Sequence, residues 1–118
     1  MKRDMDLVRD ILLEMEKHDA PGTWPTVTIE GHPEQEINYH MVLMKGAGLI
    51  EAAVMDTRQG PIVQPLRLTW GGHEFLDSAR SSKVWNGAKD LALKTTGTLT
   101  LEGLKLAIPV VMKLLMGA

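Results

Sequence analysis

Between Ile37 and Leu76 the hydrophobic period of the chain changes twice, and that double change restricts the folds open to it. Ile37, His40, Met41, Met44 and Ala47 recur at helical spacing and predict one apolar face of a helix over 33–47. Pro33 suits its first helical position, and Glu34 and Glu36 favour its positive N-terminal end. Gly48 stands where a left-handed residue closes a helix. The β-prone runs Leu49 to Met55 and Ile62 to Thr69 follow, joined by the turn-rich stretch Asp56 to Pro61, which places Arg58 and Gln59 at a hairpin tip. Pro65 cannot donate to a ladder, so an edge position or a bulge is expected there. Thr69 then caps a further helix that buries Phe75, Leu76 and Ala79 and runs to about Ser81.

The flanks are simpler to read. A chain of 118 residues with 44% hydrophobic content supports a single core. Met5, Val8, Ile11, Leu12 and Met15 form one stripe of a first helix, capped by Asp4 or Asp6 and stopping near His18 to Asp19, ahead of Pro21, Gly22 and Pro25. Trp24 is expected to lie over the core, because its ring gains most by burial. Val27 and Ile29 alternate with Thr26, Thr28 and Glu30 and predict a short half-buried strand. After Val84 and Trp85 a short helix is expected over 87–94. Thr100 caps a last helix over 101–116 that is apolar around most of its circumference, with Pro109 expected to kink it. Two lysines and its length argue against a bilayer span. Cover on two sides is needed, which predicts a homodimer through Leu104, Ile108, Val111 and Leu115. Residues 1–81 are read as the core and 82–118 as a helical extension that dimerises.

Helix, hairpin and helix in that order are the layout of a winged helix-turn-helix domain. The expected class is therefore helix-rich α+β, a winged helix-turn-helix with a β-hairpin wing and additional C-terminal helices. Charge bears on what such a domain touches. Residues 1–77 hold 7 Lys and Arg against 13 Asp and Glu, whereas residues 78–118 hold 6 against 2. Duplex binders present a basic face, because neutralising phosphates supplies most of their non-specific affinity. Helix 33–47 instead offers Tyr39, Val42, Leu43 and a single cation, Lys45, on its outer face, which suits a protein partner better than nucleic acid. The rival reading is a DNA-binding transcriptional regulator, with this helix in the major groove and Arg58, Gln59 and Arg67 of the wing on the backbone.

Chemistry has little to work with. There is no cysteine, so disulfides and thiolate metal sites are excluded, and the composition suits the cytoplasm. Asp4, Asp6 and Asp10 interrupt any apolar leader. His32, Glu36 and His40 recur every four residues, but His32 precedes Pro33 and His40 lies on the apolar face, so a satisfied core histidine is expected rather than a metal ligand. His73 and Asp77 are spaced to hydrogen-bond each other. Ser78, Ser81 and Ser82 lie in no nucleophile elbow. Neither an enzyme nor a cofactor is expected.

Two resemblances add to these readings. Tyr39-His40-Met41-Val42-Leu43-Met44-Lys45-Gly46-Ala47-Gly48-Leu49-Ile50 resembles the recognition-helix signature of bacterial winged-helix repressors of the arsenic-sensor and multiple-antibiotic-resistance types. Arg67-Leu68-Thr69 with Gly72 and Leu76 resembles their exit from the wing. The repressors carry basic or hydroxyl residues where Tyr39 and Val42 stand, and no positioning helix is evident before Pro33. Over nearly its whole length, through Met1 to Leu7, Leu68-Thr69-Trp70-x-Gly72-His73-Glu74-Phe75-Leu76-Asp77 and Val84-Trp85-Asn86, the chain resembles a domain-of-unknown-function family of bacteria and their prophages. That likeness implies a fold and a genomic setting.

Overall fold

Asp4 decides where the chain first becomes helical. In a computed structural model, which describes residues 1–18 and 20–117, its carboxylate accepts from the N–H groups of Asp6 and Leu7 at 3.0 and 3.2 Å. These are donors that a helix start leaves open. Helix α1 follows over Met5–Lys17 and buries Met5, Leu7, Val8, Ile11, Leu12 and Met15. His18 is its C-cap; Asp19, the other residue expected at the stop, lies outside the described residues, as does Ala118.

Helix α2 runs Glu34–Gly46, with Pro33 just outside it as N-cap rather than at its first helical position. Its end is a Schellman closure. Gly48 takes φ +77°, its N–H donates to Lys45 O at 3.1 Å, and the N–H of Leu49 donates to Met44 O at 3.0 Å. Ile37, His40, Met41 and Met44 are buried, but Ala47, expected with them, is exposed because it already belongs to the turn.

Strands β1 (Ile50–Thr57) and β2 (Gly60–Leu68) form a two-stranded antiparallel sheet. Thr57 faces Gly60 and Asp56 faces Pro61, so only Arg58 and Gln59 make the turn and it is tighter than the expected 56–61 connection. The Thr57 hydroxyl closes it by donating to Gly60 O at 2.6 Å and accepting from Gln59 N at 3.2 Å. Glu51 faces Arg67 while Ala52 faces Pro65, which leaves Leu66 as the extra residue of a bulge beside Pro65.

The pair flanking a two-residue hairpin turn is hydrogen-bonded, and bonded pairs alternate with non-bonded ones. Counting from Thr57 and Gly60, the residues Pro61, Val63 and Pro65 direct their backbone groups away from β1. Consistent with that, Asn38 Nδ2 donates to Pro61 O at 3.3 Å. Two of these three positions lack an N–H, so Val63 carries the single outward donor between them. This overturns the expected strand over 26–30. The alternation is there, with Val27 and Ile29 half-buried and Thr26, Thr28 and Glu30 exposed, but no strand is formed. The edge available to it is blunted by proline. Trp24 is likewise no lid: it is 65% exposed, and Pro25 takes the buried place beside it.

Helix α3 spans Trp70–Ala79. Thr69 starts it, accepting from Gly72 N at 2.9 Å through its hydroxyl and from His73 N at 3.0 Å through its carbonyl. The same hydroxyl donates to Gly48 O, and Thr69 N donates to Leu49 O at 3.1 Å. The fold is thus helix-rich α+β, a winged-helix-like arrangement followed by additional C-terminal helices. Contacts group the chain into two units, Met1–Glu74 and Phe75–Ala118.

Within the second unit, Ser81 is the N-cap of α4 (Ser82–Thr96) and accepts from Val84 N at 3.3 Å. That cap ends α3 at Ala79 rather than Ser81 and starts α4 earlier than the expected 87, so Val84 and Trp85 lie inside the helix. Trp85 is buried and meets Phe75 edge to face, with ring centroids 6.1 Å apart. Gly97, at φ +78°, terminates α4. Thr100 accepts from Gly103 N at 2.9 Å and opens α5 (Leu101–Gly117), which continues through Pro109. Helix α5 presses Leu104, Ala107, Ile108 and Val111 inward. Gly87 permits the approach, since a Cβ there would lie 2.8 Å from Val111 Cγ1.

The junction of β1 and α3 leaves no room at Gly72, where a Cβ would overlap the Leu49 carbonyl oxygen, whereas a Cβ at Gly71 would meet nothing nearer than 3.6 Å. Gly72→Ala is expected to lower stability by about 3 kcal/mol, with Gly71→Ala close to neutral. Urea denaturation of both variants checks this, and equal midpoints would contradict the packing described.

Candidate interaction face

The outer side of α2 turns four named residues away from the core. Tyr39 and Val42 are half-buried, and Leu43 and Lys45 are exposed. The Tyr39 ring rests edge-on against His40, with centroids 5.6 Å apart. His40 is fully buried, and both of its nitrogens are used: Nε2 accepts from Asp4 N at 2.8 Å and Nδ1 donates to Glu36 O at 2.8 Å. This is the satisfied core histidine expected from its place on the apolar face, held as the neutral Nδ1–H tautomer.

The wing brings a second set of groups. Arg58 and Gln59 occupy its tip, and the Asn38 bond to Pro61 anchors that end of the hairpin to α2. Arg67 lies at the other end, and its guanidinium is committed to Glu51 directly across the sheet. It is therefore not brought together with Arg58. Along α2 and the hairpin, Lys45 and Arg58 remain without an ion pair among the described residues. Between tip and base, Met55 and Ile62 face each other across the strands and are 65% and 58% exposed. Strand alternation alone could have marked them as a solvent-facing apolar pair. Trp70 was also missed. It is 83% exposed, in the first turn of α3, away from the face set by Phe75, Leu76 and Ala79.

On the other flank of α2 lies a cleft of ≈ 610 Å³, walled by residues 25–30 and by Val63 to Pro65, with Ile37 and Met41 at its floor. His32 and Glu36 meet here as an i,i+4 pair. The bond to Glu36 holds the His32 imidazole above its ordinary pKa, against a smaller opposing effect of desolvation. Nearby, burial holds the Asp10 carboxyl above its usual range, with Arg9 pulling against it and Asp6 adding to it. Among the described residues no three His, Asp or Glu side chains are placed to hold a metal. Asp77 accepts from Arg80 at 2.8 Å rather than from His73, and Ser78 donates to Phe75 O at 2.8 Å.

In the second unit the expected dimer residues divide. Leu104, Ile108 and Val111 are buried within the subunit, so they cannot also meet a second copy. Leu115 is 45% exposed, and Leu106, Val110 and Leu114 on the opposite side are exposed as well. No helix among the described residues is long and apolar enough to cross a membrane.

With this geometry in place, comparison with known proteins is informative about kinship. A family model described as "Hypothetical protein (DUF2513)" matches residues 2–98. An uncharacterized protein of Haemophilus influenzae (strain ATCC 51907 / DSM 11121 / KW20 / Rd) is 36% identical over 106 residues, covering 89% of this chain and 90% of that protein. No solved structure matches.

The His32–Glu36 pair has a pH signature. Because the folded pKa of His32 is raised, its contribution is complete below the unfolded value and is lost as pH rises through the folded one. A proton NMR titration of His32 should show the raised midpoint, falling back in Glu36→Gln. An unchanged midpoint in that variant would refute the pairing.

Proposed function

The chain belongs to the DUF2513 family, and from its surface chemistry we propose that it is a non-enzymatic winged-helix interaction or regulatory module of a bacterial or prophage cytoplasm, engaging a protein partner. The observation that carries this reading is the exposure of apolar side chains on the outer side of α2 and on the wing. Leu43 is exposed on the one and Met55 and Ile62 on the other, and such side chains gain by leaving water when a partner covers them. Lys45 and Arg58 are the cations this surface can offer a phosphate backbone, since Arg67 is spent on Glu51. Two neutralised phosphates correspond to a salt slope of about −2, far below that of a dedicated duplex binder. A DNA-binding regulator, with helix 33–47 in the groove, is the competing proposal and rests on those same two cations.

The proposed assembly is a homodimer through the second unit. Residues 1–81 act as the reading head and 82–118 as the dimerising extension. Its contact is the outward face of α5, where Leu106 is 74%, Val110 48% and Leu114 66% exposed, continued by Leu115. The stripe of Leu104, Ile108 and Val111 is instead the inner, structural side of the helix.

Affinity capture from bacterial lysate, with nuclease and without, tests the partner class. Leu43→Asp and Ile62→Asp should each abolish capture while leaving the unfolding free energy within about 0.5 kcal/mol of the parent. Capture that vanishes with nuclease, or with Lys45→Ala and Arg58→Ala alone, would establish the DNA reading instead. For the dimer, sedimentation of Leu106→Asp/Val110→Asp should report half the parent mass; an unaltered mass would remove α5 from the interface.

A further inference from the structure

The cleft beside α2 is bounded by β2 and by residues 25–30, whose backbones do not bond to each other. On one wall, Val63 directs its N–H and C=O outward between Pro61 and Pro65. On the other, the backbone groups of Thr26, Val27 and Thr28 have no partner among the described residues. One side chain spans the gap: Gln64 Nε2 donates to Pro25 O at 3.3 Å and to Pro65 O at 2.9 Å. That tie closes one end and leaves the rest open, within the size range of ligand sites.

Unbonded backbone groups on both sides of an open cleft are what binding a chain in extended form uses. The lining adds the side-chain preference. Ile37 and Met41 form an apolar floor, while Glu30 and Glu34 stand at the rim. The remaining charged group, His32, is paired with Glu36. A second, smaller hollow on the far side of residues 28–30 is lined by Asp10, Glu14 and Glu30 with Lys17. Carboxylates outnumber cations among the residues lining both hollows.

The geometry points to this cleft as a docking site for an extended peptide of alternating apolar and basic residues, lying between β2 and residues 25–30. Val63 exchanges its N–H and C=O with one residue of the peptide, and Thr26 to Thr28 receive the other edge. Alternate side chains of an extended strand point to opposite faces, so apolar ones enter toward Ile37 and Met41 while Lys or Arg meet Glu30 and Glu34. The prolines on either side of Val63 limit the contact to a short segment. This site is separate from Leu43 on the outer side of α2 and from the Met55–Ile62 pair of the wing, and neither reading depends on the other.

Selection of a displayed random heptapeptide library on the immobilised full chain tests the proposal. Peptides alternating apolar residues with Lys or Arg should be enriched. A synthetic copy of the leading peptide should shift the amide resonances of Val63, Thr26, Val27 and Thr28. Val63→Pro removes the outward donor without touching a bond to β1 and should weaken binding about tenfold or more, whereas Val63→Thr should bind like the parent. Glu30→Lys/Glu34→Lys gives a second reading that leaves the backbone intact and should also lose the basic peptides. No enrichment, enrichment of acidic peptides, shifts centred on Leu43 or on Met55 and Ile62, or indifference to both variants would each overturn it.

Discussion

One residue, Leu49, joins the elements of the first unit of this protein. The N–H of Leu49 donates to Met44 O and closes α2, and its carbonyl accepts from Thr69 N as β2 leaves the sheet. That carbonyl also lies against Gly72 at the start of α3. Helix, hairpin and second helix therefore share a single junction, to which Gly48 contributes the left-handed step and Thr69 a hydroxyl bonded to Gly48 O. Backbone groups removed from water must find partners, and here three elements satisfy one another within a few residues. The direction of the wing relative to α2 follows from this closure, since β1 leaves directly from it and β2 returns to it.

A second tie reaches across 36 residues of chain, from Asp4 to His40. Asp4 serves twice, capping α1 with its carboxylate and donating its own N–H to the buried imidazole. His40 in turn donates to Glu36 O within α2. The first turn of α1 and the middle of α2 are thus joined by a polar link inside an otherwise apolar contact. A buried polar group without a partner costs more than the bond contributes, so this link specifies how the two helices register as well as holding them.

The parts of the fold legible in the sequence were those governed by neighbours in the chain. Periodicity placed α1 and the buried side of α2, Gly48 marked the turn, Pro65 announced its bulge, and Thr69 and Thr100 announced their caps. Distant partners decided the rest. Thr26 to Glu30 alternate as a strand should, but its pairing depended on Pro61 and Pro65 lying on the outward side of β2, which follows only from the length of the turn at Arg58 and Gln59. In α5 the apolar residues run nearly all the way round, so composition could not tell the Leu104 and Ile108 side, covered in the subunit, from the Leu106 and Val110 side, left open. At the candidate surface, Tyr39, Val42, Leu43 and Lys45 were readable from helical phase. Met55 and Ile62 were not singled out, because exposure of a hairpin face depends on which side the helices take.

The prolines of β2 also bear on how copies of this chain behave at high concentration. A bare two-stranded hairpin with an exposed apolar pair is a ready template for strand-by-strand stacking, the route by which sheets grow into fibrils. Continuous growth needs a donor at every second residue along the exposed edge. With N–H groups missing at Pro61 and Pro65, the hydrogen-bonded register breaks on each side of Val63. The wing thus exposes its apolar pair Met55 and Ile62 on one face while the prolines interrupt its outer edge, so the two properties lie in different directions of the same short ribbon.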